Sequence, residues 1–308
     1  MSLAFTSFNQ IAIMFIIILV GIVCFKVKLI DMETNKKLSD LVLMLVNPIV
    51  IFISYQRKFE ATLLKGLLIS LILAVINHFL SILIGQFLIR GKEQKADLVL
   101  KRFAVIYENC GFIGIPLAQA LFGSEGVFYI TAHMTVFHLM IWTHGLIIMT
   151  GKTDRKSVLK ALRSPSVIAT VLGFVLFVCR IILPVTLRDA LTYIGNMNTP
   201  LAMLVAGITI AQTDIRALLG KARIYYISFL KLLFIPITML FIYRWFPIPQ
   251  TVLLTAILAA ACPTAATIIL FSLRYEKNYL CASELFTMTT IFSIGTIPLV
   301  MMISNLII

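Results

Sequence analysis

The residues of this sequence best suited to chemistry lie where charge is expensive. His78, Glu108, His133, His138, His144, Lys231 and Glu284 are each embedded in long apolar runs. An ionisable side chain in lipid is costly, so it survives by pairing or by lining the path of an ion or substrate. Lys231 in such a place attracts an anion, and a Glu or His there carries a proton on a coupled cycle. The plainer alternative is internal pairing, Lys231 with Glu284 for instance, which only locks helices together. Sequence leaves these roles open, with His78, Glu108, His133, Lys231 and Glu284 as the charge and proton candidates.

A second group of residues breaks helices. Asn109 begins the run NCGFIGIPLAQALFG, which places Gly111, Gly114 and Pro116 close together, and AACPTAATIILFS places Cys262 and Pro263 beside Thr264 and Thr267. Glycine lowers helix propensity and proline removes an amide donor, so a helix is expected to stop here. Freed backbone groups persist inside a membrane only where protein or a water-filled cavity satisfies them. Pro116 and Pro263 each suit the first position of a new half-helix, whose free amides and positive dipole end then point at the protein centre. Two such ends facing each other form a site for an anion or polar group. Asn109, Thr264 and Thr267 put polar side chains beside the breaks. Asn47-Pro48 and Thr199-Pro200 are read as simple kinks.

The elements that must position these residues follow from composition. Of 308 residues, 60% are hydrophobic and 13% charged, with a mean hydropathy of +1.03. Soluble domains average about 45–50% apolar and about 25% charged residues. These values exclude a soluble enzyme, a disordered chain and a collagen-like chain. The net charge of +13 does not imply a nucleic-acid partner, because no soluble block presents a basic face. The expected fold is an all-α polytopic membrane protein. Ten apolar stretches lie near 8–27, 38–56, 63–89, 102–122, 126–150, 165–184, 190–212, 222–245, 251–273 and 280–307.

Topology follows from charge. Residues 1–10 carry no Lys or Arg, whereas Lys26 and Lys28 follow the first apolar run, the reverse of a signal peptide. With the N-terminus outside, basic residues fall about three to one on the cytoplasmic loops. Both termini are therefore expected outside a plasma membrane. The five cysteines, Cys24, Cys110, Cys179, Cys262 and Cys281, show no metal-ligand spacing and read as small hydrophobes. Ten spans divide into repeats at 1–150 and 165–308, joined by a cytoplasmic linker at 151–164. Because five is odd, the halves are inverted. Pro48 with Pro200, Pro116 with Pro263, His78 with Lys231, and His133 with Glu284 all recur at an offset of about 150 residues.

The run from Asn109 to Pro116, ending at Phe122-Gly123, resembles the fourth-helix signature of the auxin efflux carrier family, which includes plant PIN carriers and compact bacterial malate or malonate permeases. Ala261-Cys262-Pro263-Thr264-Ala265-Ala266 resembles its ninth-helix signature, and Asn47-Pro48 and Lys231 ahead of Pro236 also fit. The resemblance implies an elevator-type carrier. Spans three to five and eight to ten would form a mobile transport domain, and spans one, two, six and seven a scaffold forming a homodimer. Substrate would sit where helices four and nine cross, near Pro116 and Pro263, with Asn109 as a polar contact. The short fifth loop lacks the hydrophilic insert of the plant carriers, which favours a small organic anion such as a dicarboxylate over auxin.

Other functions fit less well. There is no P-loop, no HExxH, no Asp deep in a span and no signalling domain, so a pump, an intramembrane enzyme and a receptor or sensor are disfavoured. No cofactor is implied. The alternative within transport is a sodium-coupled, bile-acid-like carrier.

Overall fold

The computed structural model describes residues 3–91, 95–151, 159, 162–214, 218 and 220–308. Most of the expected linker, with Lys152, Arg155, Lys156 and Lys160, lies outside the described residues, as do Lys92 and Arg216. The first helix, α1, runs Leu3–Lys26, with Lys26 as its one charged residue, placed at the negative end of the helix dipole. Asp31 caps α2 (Met32–Ser54) by accepting from the Thr34 amide at 2.8 Å, and that bond holds its carboxyl below the usual range. Next come α3 (Ala61–Leu88), α4 (Lys95–Ile106) and α5 (Cys110–Thr150). The second half holds α6 (Pro165–Val178), α7 (Val185–Ala211), α8 (Ala222–Tyr243), α9 (Gln250–Ala261), α10 (Thr267–Arg274) and α11 (Tyr279–Ile307). Ser164 caps α6 and Asn278 caps α11.

Among the described residues 7 helices are long and apolar enough to cross a membrane, where ten stretches were expected. The difference lies at the interruptions. The fourth expected stretch is divided between α4 and the start of α5, and the ninth between α9 and α10. The long α5 is itself two rods. Gly123 (φ 61°, ψ −153°) adopts a conformation open almost only to glycine, so the chain turns there. The sixth stretch is the short helix Pro165–Val178.

Proline acts differently from the sequence expectation. Pro48, Pro116 and Pro236 each follow a π-helical turn, at Val42–Val46, Cys110–Gly114 and Leu230–Phe234. The wider turn accommodates a ring that lacks an amide proton and crowds the carbonyl one turn back. Pro116 therefore sits inside a continuous helix. It does not start the half-helix, which begins at Cys110.

The helices pack in two groups that meet along α1, which lies against α11 as well as α7. In one, α1 lies on α7, and α2 on α6 and α7. The α1–α7 contact is close because Gly21 and Gly207 face each other: a Cβ at Gly207 would meet the Ile18 carbonyl oxygen at 2.1 Å. In the other, α5 packs on α3 and α9, α9 on α8 and α11, and α10 on α11. The cysteines separate by environment. Cys110 and Cys262 are buried, whereas Cys179 is exposed at the end of α6.

Candidate functional site

Two interruptions meet in the second set of helices. Between α4 and α5 the residues Tyr107–Asn109 leave the helix, and between α9 and α10 so do Cys262–Ala266. They run antiparallel as a short bridge pairing Glu108 with Thr264. The Asn109 amide donates to the Pro263 carbonyl at 2.7 Å, and the Ala265 amide donates to the Tyr107 carbonyl at 2.9 Å. Proline can only accept here, and it does. Each broken helix thus satisfies the backbone groups exposed by the other, the condition for irregular backbone at membrane depth.

Side chains complete the joint. The Thr264 hydroxyl donates to the Ala104 carbonyl at 3.0 Å, and its amide donates to the Thr289 hydroxyl of α11 at 3.2 Å. The Asn109 carboxamide oxygen accepts from the Phe112 amide at 3.3 Å, so Asn109 caps the half-helix that starts at Cys110. Glycines allow close approach of neighbouring side chains. A Cβ at Gly111 would stand 2.9 Å from the Asn47 nitrogen, and one at Gly114 would stand 3.3 Å from the Cys262 sulfur. The break itself falls upstream of both glycines.

The Asn198 carboxamide donates to the Gly111 carbonyl at 3.4 Å. Asn47 in α2 and Asn198 in α7 thereby bring the first set of helices against the crossing. Pro48 follows Asn47 on its π turn. Thr199 and Pro200 lie in the first turn after α7 bends at Asn196–Met197, where the missing proline amide costs nothing. Four buried polar atoms here find no partner among the described residues: Asn109 Nδ2, Thr267 Oγ1, Asn47 Oδ1 and Asn198 Oδ1. Such atoms are costly to leave unmatched.

Behind the crossing lies a charge cluster, and Glu108 belongs to both. Lys231, on the π turn of α8, places its Nζ 3.4 Å from Glu108 Oε2, and both side chains are fully buried. His133 of α5 hydrogen-bonds Glu108 Oε1 through Nε2, and Asn77 Nδ2 donates to the same oxygen at 3.2 Å. His78 of α3 holds its Nδ1 2.8 Å from the Ala74 carbonyl and its Nε2 3.6 Å from Glu108 Oε1. His78, Glu108 and His133 offer ligand atoms all within 4.8 Å of one another, a spacing that suits a metal ion. Lys231 argues against one, because it adds a positive charge to the same carboxylate.

Glu284 is elsewhere. It pairs with Lys221 at 2.5 Å at the start of α8 and lines a cavity of about 340 Å³ with Asp97, Lys101 and Asn278. Lys231 therefore faces Glu108 and not Glu284. His138 is tied to its own helix through the Met134 carbonyl, and His144 contacts the Tyr107 hydroxyl at 2.9 Å. Sequence reasoning missed Asn77, Asn198 and Thr289. Asn77 and Asn198 stand beside flagged positions, next to His78 and one residue before Thr199, but Thr289 carried no signal.

Interrupted helices crossing within a polytopic apolar bundle define a membrane carrier, because this is how such proteins expose backbone to cargo without exposing it to lipid. The profile of the family described as "Membrane transport protein" matches residues 6–301. The chain belongs to that family, and is a transport protein rather than an enzyme. It is 25% identical over 303 residues to an "Uncharacterized transporter" of Methanocaldococcus jannaschii, covering 94% of this chain and 96% of the relative. An "Uncharacterized transporter" of Methanothermobacter thermautotrophicus is 24% identical over 293 residues, covering 92% and 94%. A Rhizobium meliloti protein named "Putative malonate transporter" is 25% identical over 229 residues, covering 70% and 69%.

Proposed function

We propose that this protein carries a small organic anion, a mono- or dicarboxylate such as malate or malonate, across the cytoplasmic membrane by an elevator movement. The observation that carries this reading is the crossing itself, where two half-helices start beside buried polar atoms that have no partner. A carboxylate suits the helix starts at Cys110 and Thr267 through their free amides and positive dipole ends. Asn109 Nδ2 and Thr267 Oγ1 supply donors. Gly111, Gly114, Pro116, Cys262, Pro263 and Thr264 shape the joint. The relative named for malonate favours this class of cargo.

The family resemblance suggests a division of labour, with α1 in contact with both groups through α7 and α11. The set containing α1, α2, α6 and α7 serves as scaffold, and α3 to α5 with α8 to α11 as the moving body. Asn47 and Asn198 touch the crossing from the scaffold side, so cargo is held between the two. The turn at Gly123 and the paired interruptions favour ten spans in two inverted repeats, divided near 151–164; the basic-residue bias favours both termini outside, and the family resemblance favours a homodimer built on the scaffold. Asn109 and Thr264 are buried, while Gly111 and Thr267 beside them are partly exposed.

The test is thermal stability of purified protein against a panel of small carboxylates, followed by counterflow in proteoliposomes. Binding to the native state raises apparent stability. No stabilisation and no counterflow by any mono- or dicarboxylate would remove the anion assignment.

A further inference from the structure

We propose that His78 binds the coupling proton of this carrier, so that one proton enters the Glu108 cluster with each anion taken up at the crossing. This deepens the anion-carrier reading above and rests on it.

The tautomer of His78 is set by geometry. Its Nδ1 lies 2.8 Å from the Ala74 carbonyl, which can only accept, so Nδ1 carries the hydrogen. In the neutral ring Nε2 then has only a lone pair. Glu108 Oε1, another acceptor, lies 3.6 Å from Nε2. Nε2 finds no hydrogen-bond partner among the described residues, and the ring is fully buried. Two acceptors facing each other in a dry interior are mismatched. A proton on Nε2 repairs this, since the new N–H donates to the carboxylate.

The groups facing His78 are Glu108, His133 from α5, Lys231 from α8 and Tyr107, whose hydroxyl donates to the Met140 carbonyl. Tyr243 of α8 also senses Glu108, but its hydroxyl donates to the Leu73 carbonyl. None of them supplies the missing hydrogen to Nε2. The opposite oxygen, Oε2, is already taken by Lys231.

Charge then links proton to cargo. With both histidines neutral, Glu108 and Lys231 cancel, and the cluster has no net charge with which to hold an anion. One proton from the aqueous phase forms an N–H bond at Nε2 and leaves the cluster at +1. Glu108 is bonded directly to Asn109, the cap of the half-helix at the crossing. One carboxylate of the anion bound there balances the added charge, and each ligand raises the affinity of the other. After the movement the N–H bond breaks and the proton returns to water on the far side. Sodium is a poorer occupant, because the cluster offers imidazole nitrogens and an ammonium around a single carboxylate.

The experiment is calorimetry of malonate and malate binding to the detergent-purified chain at neutral pH, in two buffers of different ionisation enthalpy. Wild type, His78→Gln and a His138→Gln control are compared, with sodium and zinc as added arms. The expected result is uptake of about one proton per anion in wild type and control, with affinity falling roughly tenfold per pH unit above neutral. His78→Gln is expected to bind with one proton fewer and a flat pH dependence. Anion binding without proton uptake overturns the proposal, as does uptake retained in His78→Gln or replaced by a sodium or zinc requirement. If neither anion binds, that counts against the anion assignment alone, and acid titration of the unliganded proteins decides the proton. One proton more in wild type than in His78→Gln supports it, and equal uptake overturns it. If His78→Gln does not fold, the two-buffer measurement on wild type stands alone.

Discussion

Removing one member of the Glu108–Lys231 pair should cost far more than removing both. At 3.4 Å and an effective dielectric of about 20, their attraction is about 5 kcal/mol. Desolvating the two charges offsets most of that, so the intact pair contributes little net stability. A lone buried charge is another matter, and costs about 3–5 kcal/mol. Glu108→Gln leaves Lys231 stranded and should lose about that much. Lys231→Met strands Glu108, but the histidines on Oε1 can answer by taking up a proton, so its cost should be smaller and should shrink as pH falls. The sign follows from linkage: above about pH 6.5 the folded variant can hold a proton that an unfolded histidine does not, so stability rises as pH falls to about that value and then levels off. The double variant Glu108→Gln/Lys231→Met should lie within about 1 kcal/mol of wild type and yet fail to transport. Reversible unfolding in mixed micelles measures all four corners of the cycle, and the coupling term should reach about 5 kcal/mol. Costs that simply add, or that vanish in high salt, would refute a dry, directly paired site.

Three further substitutions probe the joint and its supports. Asn109→Ala should abolish anion flux while losing only about 1 kcal/mol for the helix cap; wild-type counterflow in that variant would take Asn109 out of the site. Gly207→Ala would push a methyl to 2.1 Å from the Ile18 carbonyl oxygen, which backbone cannot evade, so α1 and α7 should part at a cost of about 1–3 kcal/mol, read by chemical unfolding. Gly123→Ala meets nothing within 4 Å, so any loss is backbone strain alone, again about 1–3 kcal/mol, and an unchanged midpoint would show that the turn tolerates a side chain.

Much of the architecture is legible in the sequence because lipid imposes strict rules. Apolar length gives the helices, and the Gly and Pro clusters mark the two segments that break. Sequence alone places the break too late in the fourth stretch. Glycine and proline look like the cause of interruption, but Gly111 and Gly114 answer a steric demand from Asn47 and Cys262, and Pro116 is absorbed by a π turn. The backbone leaves the helix at Tyr107–Asn109, where only the cap residue Asn109 signals it, because the compensating bonds come from Pro263 and Ala265 far along the chain. Thr289 is invisible for the same reason, since its role exists only once α11 lies beside the crossing.

Charge pairing shows where sequence reading ends. Lys231 has Glu108 and Glu284 as acidic candidates within the apolar runs, and the regular offset between repeats matches it with His78. The structure gives Lys231 to Glu108 rather than Glu284, and places His78 at the opposite oxygen of the same carboxylate. The π turn at Leu230–Phe234 holds the lysine, and one extra residue rotates the remainder of α8 by about 100° relative to a regular helix. Without that insertion, Lys231 and the end of α8 could not both keep their present neighbours. Glu284 lies near the start of α11, close to the start of α8, so it meets Lys221 at the cavity rim, where water shares the cost of the pair. The central pair is fully buried and is not screened by bulk solvent. It is therefore the one whose balance a proton and a passing carboxylate are able to tip.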